Sequence, residues 1–231
     1  MKKLSAILLI PAILIALLST SACKKKNLQK VKVQFINASV HSPYLDYYLQ
    51  GSKRAEFIGY TLNTNSHTAE LEAGEPLVIQ IKNPATGEVV AGGSYTNWRV
   101  GRHYTFVMYH DYAVRKTTLL SDSVDWPAPG KFKVRFMHFS NEAPALDLFF
   151  NNDTIGFNRT YFATDSTTAI DSIITLTAAT YTVTLKNHLT GQTYLSLPGM
   201  GISDNRILDV YAVGTFSDSV SFPLQLGWAA H

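Results

Sequence analysis

The sequence has 231 residues, a formal net charge of +3 and a single cysteine. This length accommodates one large or two small domains, and one cysteine excludes a disulfide framework. Removing Lys2, Lys3 and the four lysines at positions 24–26 and 30 leaves 14 basic against 17 acidic residues, so the body is weakly acidic and nucleic-acid binding is not expected. Tyrosine and phenylalanine occur twelve times each, and this composition favours strands.

Residues 1–22 have the three parts of a secretory signal peptide. Lys2 and Lys3 precede an apolar run from Leu4 to Leu18, and small residues follow at 19–22. The apolar run is shorter than the roughly 20 residues that a membrane-spanning helix needs. Cleavage is therefore favoured over the alternative of a retained transmembrane helix.

The leader resembles a bacterial lipoprotein signal, whose peptidase cuts just before an acylated cysteine. Cys23 stands at that position, although Thr20 replaces the usual leucine. The resemblance implies that Cys23 is lipidated and that the protein is an outer-membrane lipoprotein of the cell envelope, on either the periplasmic or the surface face. The alternative is an ordinary secretory signal that leaves Cys23 as a free thiol, which would be prone to oxidation in an exported protein.

Residues 23–30 are interpreted as a basic tether between the anchor and the folded body. Its lysines would lie near anionic lipid headgroups if the protein is anchored. The alternative is a solvated, flexible connection without lipid contacts.

The body of the protein repeats itself from residue 31 onward. Residues 33–39 (VQFINAS) align with 134–140 (VRFMHFS), and 43–48 (PYLDYY) align with 144–149 (PALDLF), both at an offset of 101. Residues near 82–87 align with 186–191 at an offset of 104, so the copies differ by small loop insertions. Residues 125–130 (DWPAPG) predict a linker between a first domain at 31–124 and a second at 131–231.

Apolar and polar residues alternate in matching parts of both copies, which is the period of a half-buried strand. About seven such strands in roughly 100 residues are typical of an immunoglobulin-like β-sandwich. The sequence therefore predicts an all-β protein with two tandem immunoglobulin-like β-sandwich domains after a signal peptide. The predicted inward-facing residues are Leu77, Ile79, Ile81, Tyr104, Phe106, Met108, Phe132, Val134, Phe136, Leu146, Leu148, Phe150, Tyr181, Val183, Leu185, Leu208, Val210 and Ala212.

The start of the second copy resembles a known family. Residues 135–140 (RFMHFS) and 143–149 (APALDLF) match the opening pattern of domain of unknown function 4397. The first copy departs from the pattern, with Gln34 in place of arginine and Asn37 in place of histidine. The resemblance implies extracellular β-sandwich modules, often in tandem and often on lipoproteins, and it implies no established activity or functional residue.

Few polar residues form a pattern that indicates catalysis. Asp46 and Asp147 occupy equivalent positions, and a structural role in binding backbone amides is favoured over an acid or ligand role. His138 is expected to be a buried, hydrogen-bonded histidine and not a metal ligand. His103 and His110 are seven residues apart in one predicted strand, so they face opposite sides and do not share a metal.

The motifs of zinc proteases and serine hydrolases do not occur in the sequence. Four aspartates that could bind calcium, Asp122, Asp125, Asp204 and Asp209, are too dispersed for a calcium loop. We therefore predict no catalytic residue, no metal and no cofactor.

Aromatic residues of the first copy are the main candidates for ligand contacts, because exposed Tyr and Trp stack on sugars or anchor protein partners. The candidates are Tyr44, Tyr47, Tyr48, Tyr95, Trp98, Tyr104, Tyr109 and Tyr112. If Tyr47 faces the core, the adjacent Tyr48 is exposed beside Asp46. Tyr48 and Trp98 are therefore the predicted ligand-binding residues. The alternative is that half or more of these aromatics fill the sandwich core.

These features together predict a lipid-anchored, non-enzymatic cell-envelope protein that acts as an interaction or structural module. Its expected partners are the membrane, through the anchor, and a glycan or an envelope protein. The alternative is a glycan-binding accessory lipoprotein that captures polysaccharide, for which several aromatics should be exposed on one surface. A hydrolase would need a polar cleft with converging carboxylates or a nucleophile–histidine pair, and no spacing in the sequence predicts one.

Overall fold

A computed structural model describes residues 27–111, 114–122, 125–162, 173–217 and 220–231. The predicted signal peptide, Cys23 and the lysines at 24–26 lie outside these residues. The described residues form sixteen β-strands. Among them there is no helix of the length and apolarity needed to cross a membrane.

The first half of the chain contains two four-stranded sheets. Its strands are β1 (Gln29–Ala38), β2 (Leu45–Leu49), β3 (Ser52–Ile58), β4 (His67–Leu71), β5 (Leu77–Lys82), β6 (Val89–Tyr95), β7 (His103–Asp111) and β8 (Val114–Ser121). The strand order is β4-β1-β7-β8 in one sheet and β3-β2-β5-β6 in the other. Strands β1 and β7 are parallel, and the other neighbours are antiparallel.

The second half has the same topology. Its strands are β9 (Lys131–His138), β10 (Leu146–Phe150), β11 (Asp153–Arg159), β12 (Ile174–Thr177), β13 (Ala179–Asn187), β14 (Thr193–Ile202), β15 (Ile207–Val213) and β16 (Gln225–Ala230). The strand orders are β12-β9-β15-β16 and β11-β10-β13-β14, with β9 parallel to β15. Adding eight to each strand number of the first half reproduces this arrangement.

The two sheets of each half enclose an apolar core. In the first core the Phe35 ring stacks on Tyr47 and lies 6.0 Å from the Phe106 ring, measured between ring centroids. In the second core the rings of Phe132 and Phe150 are 6.2 Å apart. Every inward-facing residue predicted above is buried, with at most 9% of its surface exposed. The predicted all-β class and sandwich architecture are confirmed.

Each sandwich has one strand more than the seven of an immunoglobulin constant domain. At one sheet edge of each half, β8 pairs with β7 and β16 pairs with β15. These two edge strands border the surface where the halves meet, and they supply Leu120 and Ala229 to it.

A third apolar cluster joins the two sandwiches. It is formed by Ile36, Ala38, Val107, Tyr109 and Leu120 of the first half and by Met137, Phe139, Tyr161, Phe162, Tyr211, Val213 and Ala229 of the second. The Tyr109 ring lies 5.4 Å from Phe139 and 5.6 Å from Phe162, measured between centroids. Burial stabilises by about 1.5–3 kcal/mol for each large apolar side chain, so this cluster strongly opposes separation of the halves.

Hydrogen bonds also cross between the sandwiches. The Tyr211 hydroxyl donates to the carbonyl of Thr61 at 2.8 Å, and the Asn63 amide donates to the carbonyl of Trp228 at 2.7 Å. The four sheets therefore form a continuous stack. The boundaries of the linker at 125–130 stay a prediction.

Candidate ligand groove

Tyr48 lies on the outer face of the first sandwich and is partly buried. The Nζ atoms of Lys82 and Lys53 are 4.3 Å and 5.9 Å from the centre of its ring. The equivalent Phe149 of the second sandwich has Lys186 Nζ at 5.2 Å. Because cation–π contacts of this kind cover the ring and recur in both halves, they indicate a structural role for Tyr48.

Trp98 lies in the loop between β6 and β7. Its indole packs against the first core, and Nε1 donates a hydrogen bond to the carbonyl of Glu75 at 2.7 Å. Among the described residues no ring contact joins Trp98 to Tyr48, so the structure does not bring the two predicted ligand-binding residues together.

The remaining aromatic candidates have different environments. Tyr47, Tyr104 and Tyr109 are buried, and Tyr95 packs against the first core. Tyr44 is 63% exposed. Tyr112 lies outside the described residues. Most of the described candidates therefore contribute to packing, as the alternative interpretation of the sequence expected.

Asp46 and Asp147 have the same structural role in the two sandwiches. Asp46 Oδ1 accepts a hydrogen bond from the Phe57 amide at 3.3 Å, and Asp147 Oδ1 accepts one from the Asn158 amide at 2.7 Å. Phe57 and Asn158 have φ angles of 54° and 51°, in the left-handed region that non-glycine residues rarely adopt. Each carboxylate therefore stabilises a bent backbone in the neighbouring strand.

His138 is buried and hydrogen-bonded, as predicted. Only 1% of its surface is exposed. Its Nε2 donates to the carbonyl of Pro144 at 3.1 Å, and its Nδ1 accepts from the Ser140 amide at 3.2 Å. Burial lowers the pKa of His138 to about 4, so the imidazole is neutral near pH 7.

A cavity of about 730 Å³ opens on the first sandwich, between the β6–β7 loop and strand β8. Its charged lining residues are Arg99 and Arg102, which are exposed and form no ion pair with a described residue. The Tyr104 hydroxyl accepts a hydrogen bond from the Arg99 amide at 2.8 Å and so holds the loop in place. The other lining residues are Ser94, Tyr95, Thr96, Asn97, Thr117, Thr118, Leu119 and Ser121.

A second cavity, of about 240 Å³, lies where the two sandwiches meet. Arg102 lines both cavities, so they adjoin, and we call them together the seam groove. Trp126 lines the second cavity with 53% of its surface exposed, and its ring meets the His103 ring edge-on at 6.4 Å between centroids. The other lining residues are Gly101, Asp122, Asp125, Ile207 and His231.

The sequence predicts Trp126 as part of the linker at 125–130, and a ligand contact at Trp126 is not among the predictions from sequence. A tryptophan between Asp125 and Pro127 has no alternating apolar neighbours, so no core position is predicted for it. An exposed tryptophan in such a segment is itself a signal for recognition, because its large ring stacks on ligands.

A buried ion cluster lies behind the second cavity. Arg135 Nη2 is 2.7 Å from Asp122 Oδ1 and 2.6 Å from Asp209 Oδ2, and Arg135 Nε donates to Asp209 Oδ1 at 2.9 Å. Thr105 donates from Oγ1 to Asp122 Oδ2 at 2.7 Å, and His231 Nε2 lies 3.2 Å from Asp209 Oδ2. Thr105 and Asp122 belong to the first half, so the cluster links the two sandwiches.

Charged contacts outweigh burial at Asp209 and His231, whereas burial raises the pKa of Asp122 in spite of its contact with Arg135. Burial acts to raise the pKa of Asp209, but Arg135 and His231 outweigh it and hold that pKa well below its usual range. Burial acts to lower the pKa of His231, and the contact with Asp209 raises it above the ordinary value instead. The arginine is thus held by two carboxylates in the fork geometry that guanidinium groups favour.

Asp122, Asp209 and His231 could also be considered as metal ligands, since their donor atoms lie within 4.8 Å of one another. Arg135 bonds to both carboxylates at the place where a cation would have to bind. A metal ion would need to displace this guanidinium, so the donor set fits an ion-paired network better than a metal centre.

Comparisons with known proteins give a family and a set of solved structures. A carbohydrate-binding module, CBMbc of family CBM26 from Eubacterium rectale Amy13K, crystallised with maltoheptaose, is 8% identical in sequence. The match covers 87% of this chain and 96% of that chain, but its TM-score of 0.23 is too low to support an argument. No curated protein matches the sequence.

The family model described as "Domain of unknown function (DUF4397)" matches residues 31–149. The matched segment runs from β1 to β10 and so contains the first sandwich and the first two strands of the second. Since it spans just over half of the sequence, the protein belongs to the DUF4397 family.

Proposed function

We propose that this protein is a non-catalytic binding module of the cell envelope, held at the outer membrane by lipid on Cys23. The observation that carries the proposal is the seam groove, an open polar surface with an exposed indole and two guanidinium groups that form no ion pair within the described part of the chain. The shared apolar cluster gives this groove a stable frame, because two of its lining residues come from the second half. Ile207 and His231 are those residues.

The chemistry of the groove favours binding over catalysis. Hydrolysis of a glycosidic bond uses two carboxyl groups that face each other across the substrate. In the seam groove Asp122 is already bonded to Arg135 and Thr105 through its two oxygens, which leaves Asp125 as the accessible acid. A single accessible acid can orient a ligand through hydrogen bonds.

We further propose that the two halves are tandem copies of the family domain. Two features support this: the sequence segments that align at an offset of 101, and the identical strand order of the two sandwiches. The groove lies where the copies meet, so the tandem arrangement would create the site.

The lipid anchor is tested by replacing Cys23. Acyl chains contribute about 0.8 kcal/mol of membrane affinity for each buried CH₂ group, and several chains are needed for stable anchoring. Cells fed a labelled fatty acid should incorporate the label into the wild-type protein and not into Cys23→Ser, and the variant should leave the membrane fraction. The triple variant Lys24→Ser/Lys25→Ser/Lys26→Ser serves as the control and should keep the label. Membrane retention of Cys23→Ser would instead indicate an uncleaved transmembrane leader.

A glycan ligand is the second candidate, and the exposed Trp126 indole favours it. We expect Trp126→Ala to weaken binding of any glycan found on an array by about tenfold or more, as expected for loss of a central aromatic contact. The measurement uses detergent-extracted full-length protein. Tyr44→Ala is the matched control, because Tyr44 is also an exposed aromatic residue but lies outside the groove. Loss of binding in Tyr44→Ala alone would move the site away from the groove.

A further inference from the structure

We propose that the seam groove binds an acidic polysaccharide, with a sugar ring on Trp126 and carboxylate or sulfate groups paired with Arg102 and Arg99. This inference rests on the proposed binding function and specifies its ligand. It requires an anion-binding end, a sugar-binding surface and a continuous path between them.

The anion-binding end is the larger cavity. Of the described residues that line it, the two charged ones are the guanidinium groups of Arg99 and Arg102, and none is acidic. The contrast with Arg135 is informative, because that arginine is buried and its fork is filled by Asp122 and Asp209. Arg99 and Arg102 have no such partner among the residues that the structure describes, so their planar forks are available for bidentate contacts with carboxylate or sulfate.

The other residues that line the larger cavity fit a sugar better than an apolar peptide. Among the described lining residues of the larger cavity, eight side chains carry hydroxyl or amide groups, whereas Leu119 is the one aliphatic side chain. Protein-binding surfaces bury apolar and aromatic anchors at their centre. Hydroxyl and amide groups instead exchange hydrogen bonds with the many hydroxyls of a sugar.

The sugar-binding surface is the Trp126 end of the groove. The His103 ring contacts the Trp126 ring from the side, which fixes the indole while 53% of its surface stays open. Asp125 lies beside it and can accept hydrogen bonds from sugar hydroxyls. Since Arg102 lines both cavities, a chain that stacks on Trp126 continues directly to the two arginines.

The test is calorimetric titration of detergent-extracted full-length protein with three hexasaccharides: oligogalacturonate, a heparin-derived hexamer and maltohexaose. At least one acidic hexamer should bind about tenfold or more tightly than the neutral one, and its affinity should fall as salt is added. The double variant Arg99→Gln/Arg102→Gln should lose this preference. The control Lys82→Gln/Lys186→Gln removes the same charge from the outer faces and should keep it.

The outcomes separate this inference from the function on which it rests. Both acidic hexamers carry carboxylates, so binding of oligogalacturonate identifies carboxylate as a sufficient group, and binding of the heparin hexamer without binding of oligogalacturonate identifies sulfate. Maltohexaose could instead bind as tightly as the acidic hexamers, with an affinity that falls in Trp126→Ala but not in Arg99→Gln/Arg102→Gln. This result would overturn the proposal of an acidic ligand, although the groove would remain a binding site. Failure of all three hexamers to bind folded protein, with its melting temperature unchanged, would also overturn it.

Discussion

Replacing Arg135 with methionine is expected to lower the free energy of unfolding by about 3–5 kcal/mol, because removal of one partner leaves buried charge uncompensated. Arg135 is fully buried between Asp122 and Asp209, and its loss leaves two carboxylates facing one histidine, His231. Guanidinium or urea denaturation of wild type and variant measures the difference. Since the cluster joins the two sandwiches, we also expect one half of the variant to unfold in a separate transition at lower denaturant concentration.

The first half of the chain supplies a control for this prediction. At the strand position where Arg135 faces Asp209, the first sandwich has Gln34 facing Thr105. The variant Arg135→Gln/Asp209→Thr therefore copies a neutral pair that the same fold already uses. It removes one charge of each sign and should recover at least half of the stability lost in Arg135→Met. If both variants were equally destabilised, the loss would come from packing and not from unpaired charge.

The individual sandwiches could be predicted from the sequence because their strands have one simple period. Phe132, Val134 and Phe136 alternate with polar neighbours, and all three are buried in the second core. The cluster between the sandwiches is harder to predict, because its members occupy the other face of the same strands. Ile36 and Met137 make those strands apolar on both faces, which is the pattern of a sheet covered on both sides. That signal indicates a covering layer but does not identify it.

The ion cluster could not be predicted from spacing. Asp122 follows the edge strand β8, whereas Asp209 lies in β15, and they meet only because the two sheets face each other. The same limit applies to the groove. Alternation correctly places Tyr47 in the core, but it gives no information on the lysines above Tyr48 or on the Trp98 loop. Trp126 lines a cavity that exists only where the two halves meet, and no local sequence pattern describes that contact.

His138 should make the stability of the protein depend on pH. Burial lowers its pKa from 6.5 to about 4 in the folded protein. Between these values the unfolded chain binds a proton that the folded chain does not, so the free energy of unfolding falls as the pH falls. Above pH 6.5 the free energy of unfolding includes the full contribution of neutral His138. Acidification through the folded pKa should lower the free energy of unfolding by about 3 kcal/mol. Chemical denaturation from pH 7 down to about 3.5 measures this decrease.

The variant His138→Asn isolates this effect from the other titrating groups. Asn37 occupies the equivalent position of the first sandwich, and its Oδ1 accepts the Ser39 amide at 3.2 Å, as His138 Nδ1 accepts the Ser140 amide. Asparagine can therefore keep this hydrogen bond without titrating. The raised pKa of His231 acts in the opposite direction, since it stabilises the fold at low pH, but both proteins share it. The difference between the wild-type and variant plots of unfolding free energy against pH should thus show the His138 contribution alone. Parallel plots would mean that His138 becomes protonated in the folded state as easily as in the unfolded chain.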